Sequence, residues 1–347
     1  MRWRLLFALI GLSITGVTSF AQRPPGAEGL ESDRASPSDA GFFGGAGVAR
    51  FQLIQGRLCL DPPRHRKGSQ KFQAADVYES ITVSAERGIP SLHYVYQSPH
   101  QHLIVNVKDA DRVRLESWLP GESQRAVIHH SRRGPIVWES VTGDPSRGDG
   151  SDSDARHRVT GTTFLHLRQR SPAQFDKHFG ELIQRILQGT SLAQVAEQAQ
   201  QVMLGNCRSN GPQFRRGDVD KQVQKLRSPR RQTRAIAQRQ LLLWGTPVVA
   251  VLDSIPATNL DAEQRDRLRT VRDHLRTPIP DTPRSLAKLL INDPGYWAVI
   301  ADDLPASDRH LAQSRFQQME WSVSFEPVDR LAIADPDPDR RIATAPR

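Results

Sequence analysis

Five histidines are the first side chains to weigh, because imidazoles brought together on neighbouring strands can share a metal ion. His93, His100 and His102 form one group, and His129 with His130 another. Side chains alternate along an extended chain, so His100 and His102 face the same side if a strand starts that early. No carboxylate stands at a spacing that completes such a site, and no HExxH occurs, so no metal is assigned. The run Asp149-Gly150-Ser151-Asp152-Ser153-Asp154 holds carboxylates that calcium could use, but they are out of EF-hand register and Arg156 follows them. It reads as a solvated loop. No GxSxG and no Cys-His signature is present, so no catalytic residue and no cofactor are expected.

Cys59 and Cys207 are the only cysteines. In an oxidising compartment they could form a disulfide; the alternative is two inert buried thiols. Neither belongs to a CxxC, which excludes the common redox motif.

Charge placement is the sharper signal. The formal net charge is +9, with cations that are 40 Arg and 7 Lys. Arg215 to Arg239 carries nine cations against Asp218 and Asp220. Within it Arg227, Arg230, Arg231 and Arg234 follow i, i+3, i+4, i+7 spacing, which lines one face of a helix. Such a stripe suits an acidic protein, an anionic polymer of the cell envelope or anionic lipid headgroups. The bland alternative is a solvated face in an Arg-rich proteome, screened by the nine acids of residues 300–339. Nucleic acid is disfavoured, because no aromatic residues interleave with the cations to stack bases.

The elements that must position these residues are legible in outline. Arg2 and Arg4 precede 13 uncharged residues, Leu5 to Val17, and Ser19-Phe20-Ala21 sets small residues at a cleavage site. This is the layout of a secretory signal peptide, too short for the about 20 residues of a spanning helix. The expected product is exported to the periplasm, envelope or medium, with no transmembrane span after cleavage. Residues 22–47, rich in Pro, Gly, Ser and Asp, read as a disordered leader. The stretches Phe51 to Leu60, Ser80 to Ala85, Leu92 to Tyr96, His102 to Val107, Arg112 to Trp118, Arg125 to His129, Pro135 to Val141 and Val159 to Leu167 read as strands between turns, with Gly143 to Arg158 as a long loop. Helices follow. Ser171-Pro172 and Ser191 open two of them, and Ser228-Pro229, Thr246-Pro247, Thr282-Pro283 and Asp293-Pro294 repeat the pairing of a capping residue with proline.

Arg234, Ala237 and Leu241, the Gly245-Thr246-Pro247 turn, then Val248, Val251 and Leu252 give one helix pair, and Arg267, Val271 and Leu275 mark a further helix. On these residues the segment 227–276 resembles HEAT-type repeats. That resemblance implies interaction or scaffolding rather than chemistry.

The expected fold is α+β: an N-terminal antiparallel β-rich domain, sandwich or curled sheet, followed by a small HEAT-like α-helical domain. The expected organisation is signal peptide 1–21, leader 22–47, β-rich domain ending in two helices 48–205, linker 206–220, helical domain 221–321 and disordered tail 322–347. The expected function is that of a non-catalytic interaction or scaffold protein, using the basic stripe Arg227, Arg230, Arg231 and Arg234. The alternative is an envelope hydrolase or metal-dependent enzyme with its site on the β domain. A third reading is a ligand-binding β domain with an apolar pocket between the sheet and the helices at 172–204.

Overall fold

A computed structural model describes residues 42–43, 47–63, 67–122, 124–131, 134–142, 156–276 and 279–325. The expected signal peptide, most of the leader and the tail beyond residue 325 lie outside them, as does the run Asp149 to Asp154.

Alternating burial builds the sheet. Strands β3 (Lys67–Ala74), β4 (Val77–Glu86), β5 (Ile89–Gln97), β6 (His102–Lys108), β7 (Arg112–Trp118), β8 (Gln124–His130), β9 (Ile136–Thr142) and β10 (Arg156–Gly161) pair antiparallel in chain order. Ile81, Val83, Leu92, Tyr94, Val105, Leu115 and Ile128 face inward and are buried, while their neighbours in sequence face out. A separate hairpin, β1 (Phe51–Ile54) and β2 (Arg57–Leu60), adds Phe51, Leu53, Leu58 and Leu60 to the same core. The fold is therefore α+β with a β-rich first half, as the sequence predicts. Three local readings change. The stretch Phe51 to Leu60 is a hairpin, because Gln55 and Gly56 both take positive φ (52° and 69°). The last strand starts at Arg156, inside the expected loop, and stops at Gly161. The Thr163 side chain then accepts the His166 N–H and caps helix α1 (Phe164–Arg170), so Phe164, Leu165 and Leu167 are helical rather than extended.

The helices cover the inner face. Helix α2 (Pro172–Phe175), a π-helical turn (Asp176–Gly180) and α3 (Glu181–Ile186) run on from one another, and α4 (Leu192–Ser209) opens with a capping box at Ser191. Phe164, Phe175, Phe179 and Ile183 fill the space against the sheet, with Trp138 edge-on to Phe175 at 6.0 Å. The described side chains pack closely between the sheet and these helices, and a cavity of about 350 Å³ lies at α3, lined by Phe42, Phe43, Glu181 and Arg185 among others. One ion pair is sealed into this layer. Glu79 of β4 is fully buried, receives Tyr94 Oη–H at 2.7 Å and pairs with Arg185 of α3 at 2.5 Å. Phe43 lies edge-on to Tyr94 at 5.1 Å, and Phe42 is buried, so the end of the expected leader belongs to the core.

The helical half divides between two cores. Residues 206–209 finish α4 and 216–220 begin α5 (Arg216–Lys225), so the expected linker shortens to the residues between them. Helices α5, α6 (Arg231–Leu243), α7 (Val249–Asp253) and α8 (Ala262–Leu275) enclose a second core of Val219, Val223, Leu241, Val251, Leu252, Leu268 and Val271. The segment Arg231–Leu243 and the segment Thr246–Asp253 meet at 104°. Helices α9 (Pro283–Leu290), α10 (Pro294–Ile300) and α11 (Ala306–Gln318) then return to the first core, where α9 packs along α4. Phe325 is buried there against Phe316, at 5.2 Å, so the first residues of the expected tail are packed as well. Among the described residues no single helix is long and apolar enough to cross a membrane.

Candidate functional site

The hairpin turn is the piece that links the two cores. Arg57 points its guanidinium at three backbone carbonyls, those of Ser131 (2.7 Å), Gly134 (2.5 Å) and Thr162 (2.9 Å). It thereby ties β2 to the β8–β9 loop and to the start of α1. Burial, with nearby Arg276 next, lowers this guanidinium to about 10. On the other side, the Asp281 carboxylate accepts the Gly56 N–H at 2.6 Å and the Ser285 hydroxyl at 3.2 Å. The Asp281 N–H donates to Leu53 at 2.7 Å, and Gln55 Nε2 donates to the Leu275 carbonyl at 3.2 Å. Burial raises the Asp281 carboxyl to about 6. A Cβ on Gly56 would come within 2.5 Å of the Thr163 side chain, so only glycine fits this close approach.

Between this hairpin and α7–α8 lies a cavity of about 660 Å³. That volume is within the range of small-molecule sites, about 300–1,000 Å³. One wall is apolar, made by Val249, Ala250, Ile255, Pro256, Ala257, Leu260 and Leu289. Arg265, Arg269 and Arg272 of α8 and Arg276 just past its end also line it, together with Asp253, Asp273 and Asp293. The spacing i, i+4, i+7 keeps the first three on one side of the helix. The row grades from outside to inside. Arg265 and Arg269 are exposed, whereas Arg272 and Arg276 keep 22% and 14% of their side-chain surface. The inner two are compensated. Asp253 pairs with Arg272 at 2.8 Å and with Arg276 at 3.7 Å, and Arg272 also donates to the Leu252 carbonyl. At the outer end, Arg269 pairs with Asp266 on its own helix, and Arg265 donates to the Asp261 carbonyl at 3.3 Å. Asp293 closes the floor, accepting from Thr162 Oγ1 at 2.8 Å and capping α10. Guanidiniums are donors only and stay charged, so these side chains can hydrogen-bond an acceptor-rich anion.

A second cavity, about 390 Å³, adjoins the first and shares Gln55, Arg57 and Arg276 with it. Cys59 and His130 line it. His130 is buried, and burial with Arg57 next lowers its imidazole to about 4, so the ring is neutral. The Leu58 and Ser131 backbones lie near the ring without hydrogen-bond geometry.

The site residues expected from the sequence fall elsewhere. Helix α5 ends before Arg227 and α6 begins at Arg231, so Arg227, Arg230, Arg231 and Arg234 do not share one helix. Arg234 is turned inward: it donates to the Ser228 and Pro229 carbonyls and pairs with Glu263 at 3.3 Å. Arg227, Arg230 and Arg231 are exposed. The histidines scatter because β6 starts only at His102. His100 lies before it, and His102 rests edge-on to Trp118 at 4.9 Å. His93 and His129 face outward, and His130 faces the core. Among the described residues no group of three or more His, Cys, Asp or Glu is arranged to hold a metal ion. No bridge joins Cys59 to Cys207. Cys207 sits in α4, where burial raises its thiol and the Arg315 side chain hydrogen-bonds it.

The α8 row was overlooked in the sequence for a simple reason. Arg267, Val271 and Leu275 mark the packed face of that helix, and the arginines between them look like its solvated side. Their partners across the cavity, Arg57 and Pro135, are more than 100 residues away. The chain matches no family model, no curated protein and no solved structure, so its function is read from these residues alone.

Proposed function

We propose that the chain is a non-catalytic binding protein that captures an anionic group in the cavity between the hairpin and α7–α8. The observation that carries this reading is the set Arg265, Arg269 and Arg272 on one face of α8, with Arg276 just beyond it, in a cavity that apolar residues also line. The interaction role expected from the sequence is retained, with its contact surface moved from Arg227–Arg234 to α8. The HEAT-like reading of 227–276 and export from the cytoplasm are part of the same proposal. The anion is borne by a partner protein, an envelope polymer or a small molecule.

Titration with phenyl phosphate tests it, because the probe joins a dianion to a small apolar ring. Wild type should bind, with an affinity that falls as salt rises. Arg265→Glu with Arg269→Glu should weaken binding by tenfold or more, while Arg230→Glu with Arg231→Glu leaves it unchanged. Equal binding by wild type and the α8 double variant would sink the proposal.

A further inference from the structure

The gradient along α8 says more about the ligand than the presence of charge alone. The inner cations Arg57, Arg272 and Arg276 share the lining with three carboxylates, Asp253, Asp273 and Asp293, so the depth of the cavity offers little uncompensated charge. Among the described residues Arg265 has no ion-pair partner, and Arg269 has only Asp266, itself more than half exposed. Spare positive charge is therefore concentrated at the mouth. Inside, Val249, Ala250, Ile255 and Leu289 present hydrocarbon. Burying a hydrocarbon body there is favourable, while an anion placed in the depth would have to compete with Asp253.

Resting on the anion-binding reading above, we infer that the ligand is an anionic amphiphile. Its alkyl body enters against Val249, Ile255 and Leu289, and its phosphate or carboxylate head stays at the mouth on Arg265 and Arg269. The head engages guanidiniums in paired hydrogen bonds that need no buried counter-charge. The body displaces water from apolar surface.

Calorimetric titration of the full chain with butyl, hexyl and octyl phosphate below their micelle concentrations reads this directly. Each methylene removed from water should tighten binding about fourfold, so each two-carbon step gives about fifteenfold. Inorganic phosphate should bind at least a hundredfold more weakly than octyl phosphate. Ala250→Trp fills the cavity and should abolish the chain-length dependence; Ala257→Trp, at an exposed position on the wall, serves if the first variant misfolds. Arg265→Ser with Arg269→Ser should weaken octyl phosphate at least tenfold and leave uncharged octyl glucoside unchanged. Phosphate binding without chain-length dependence overturns the amphiphile inference and leaves the anion reading intact. Equal binding of octyl phosphate and octyl glucoside, indifferent to the serine variants, overturns both. Chain-length dependence that survives both tryptophans places the alkyl body elsewhere and overturns the inference as well.

Discussion

The sealed ion pair between Glu79 and Arg185 gives a prediction whose size follows from its burial. Glu79 is fully buried, and Arg185 keeps only 15% of its side-chain surface. Replacing Glu79 with Ala leaves the Arg185 guanidinium beside a void, with the Tyr94 hydroxyl, which accepts from it at 3.3 Å, in place of a counter-charge. Breaking one side of such a pair costs about 3–5 kcal/mol, or roughly 150- to 5,000-fold in the folding equilibrium. Arg185→Met should cost a similar amount, because it strands the carboxylate. The pair itself contributes far less than these numbers suggest, since its attraction is largely offset by desolvation. The triple variant Glu79→Leu, Tyr94→Phe, Arg185→Met should therefore lie within about 2 kcal/mol of wild type. Urea unfolding at pH 7, with the slope checked for constancy, measures all three. Single variants costing less than about 1 kcal/mol, or a triple variant equal to the sum of the singles, would refute the reasoning.

Asp281→Asn should stabilise the protein by up to about 3 kcal/mol at pH 7–8, since the burial that raises the carboxyl to about 6 opposes its charge. Between the unfolded value near 4 and the folded value near 6 the native state holds the extra proton, so wild-type stability falls as pH rises through that window. The advantage of Asn should accordingly vanish as pH drops toward 4 in parallel urea titrations. Gly56→Ala combines a positive φ with contact against Thr163 and should cost about 2–5 kcal/mol. Gly88→Ala, with φ +80° and open space around it, should cost only about 1–2 kcal/mol, which the same unfolding assay distinguishes. Arg234→Ala should lower the melting temperature measurably, because its guanidinium holds the Ser228 and Pro229 carbonyls; Arg231→Ala, exposed on α6, should leave the melting curve where it is.

The strands that carry one buried face were legible because burial writes a period of two into the sequence. Arg112–Trp118 of β7 was read to the residue for that reason. Strand β3 went unread because it is an edge strand with no fully buried residue; Lys67 to Ala74 carries no apolar alternation and is extended only through its register with β4. Thr282 and Asp293, each followed by proline, are true helix caps. The same pairing at Ser228-Pro229 does not open a helix: α6 starts only at Arg231, and Arg234 donates to the Ser228 and Pro229 carbonyls. The candidate site was unreadable in kind: three of its arginines share one helix's face, but the cavity exists only where a hairpin at residue 56 meets residue 281.

The chain leaves the first core after α4, builds most of the second between residues 214 and 271, comes back through α9, which lies along α4, and touches the second again with Met319. The second core is thus stapled at both its entrance and its exit, and the two staples touch. The Gln55–Leu275 and Gly56–Asp281 hydrogen bonds tie the same junction a third time, so the cavity between the cores is framed by elements anchored to both.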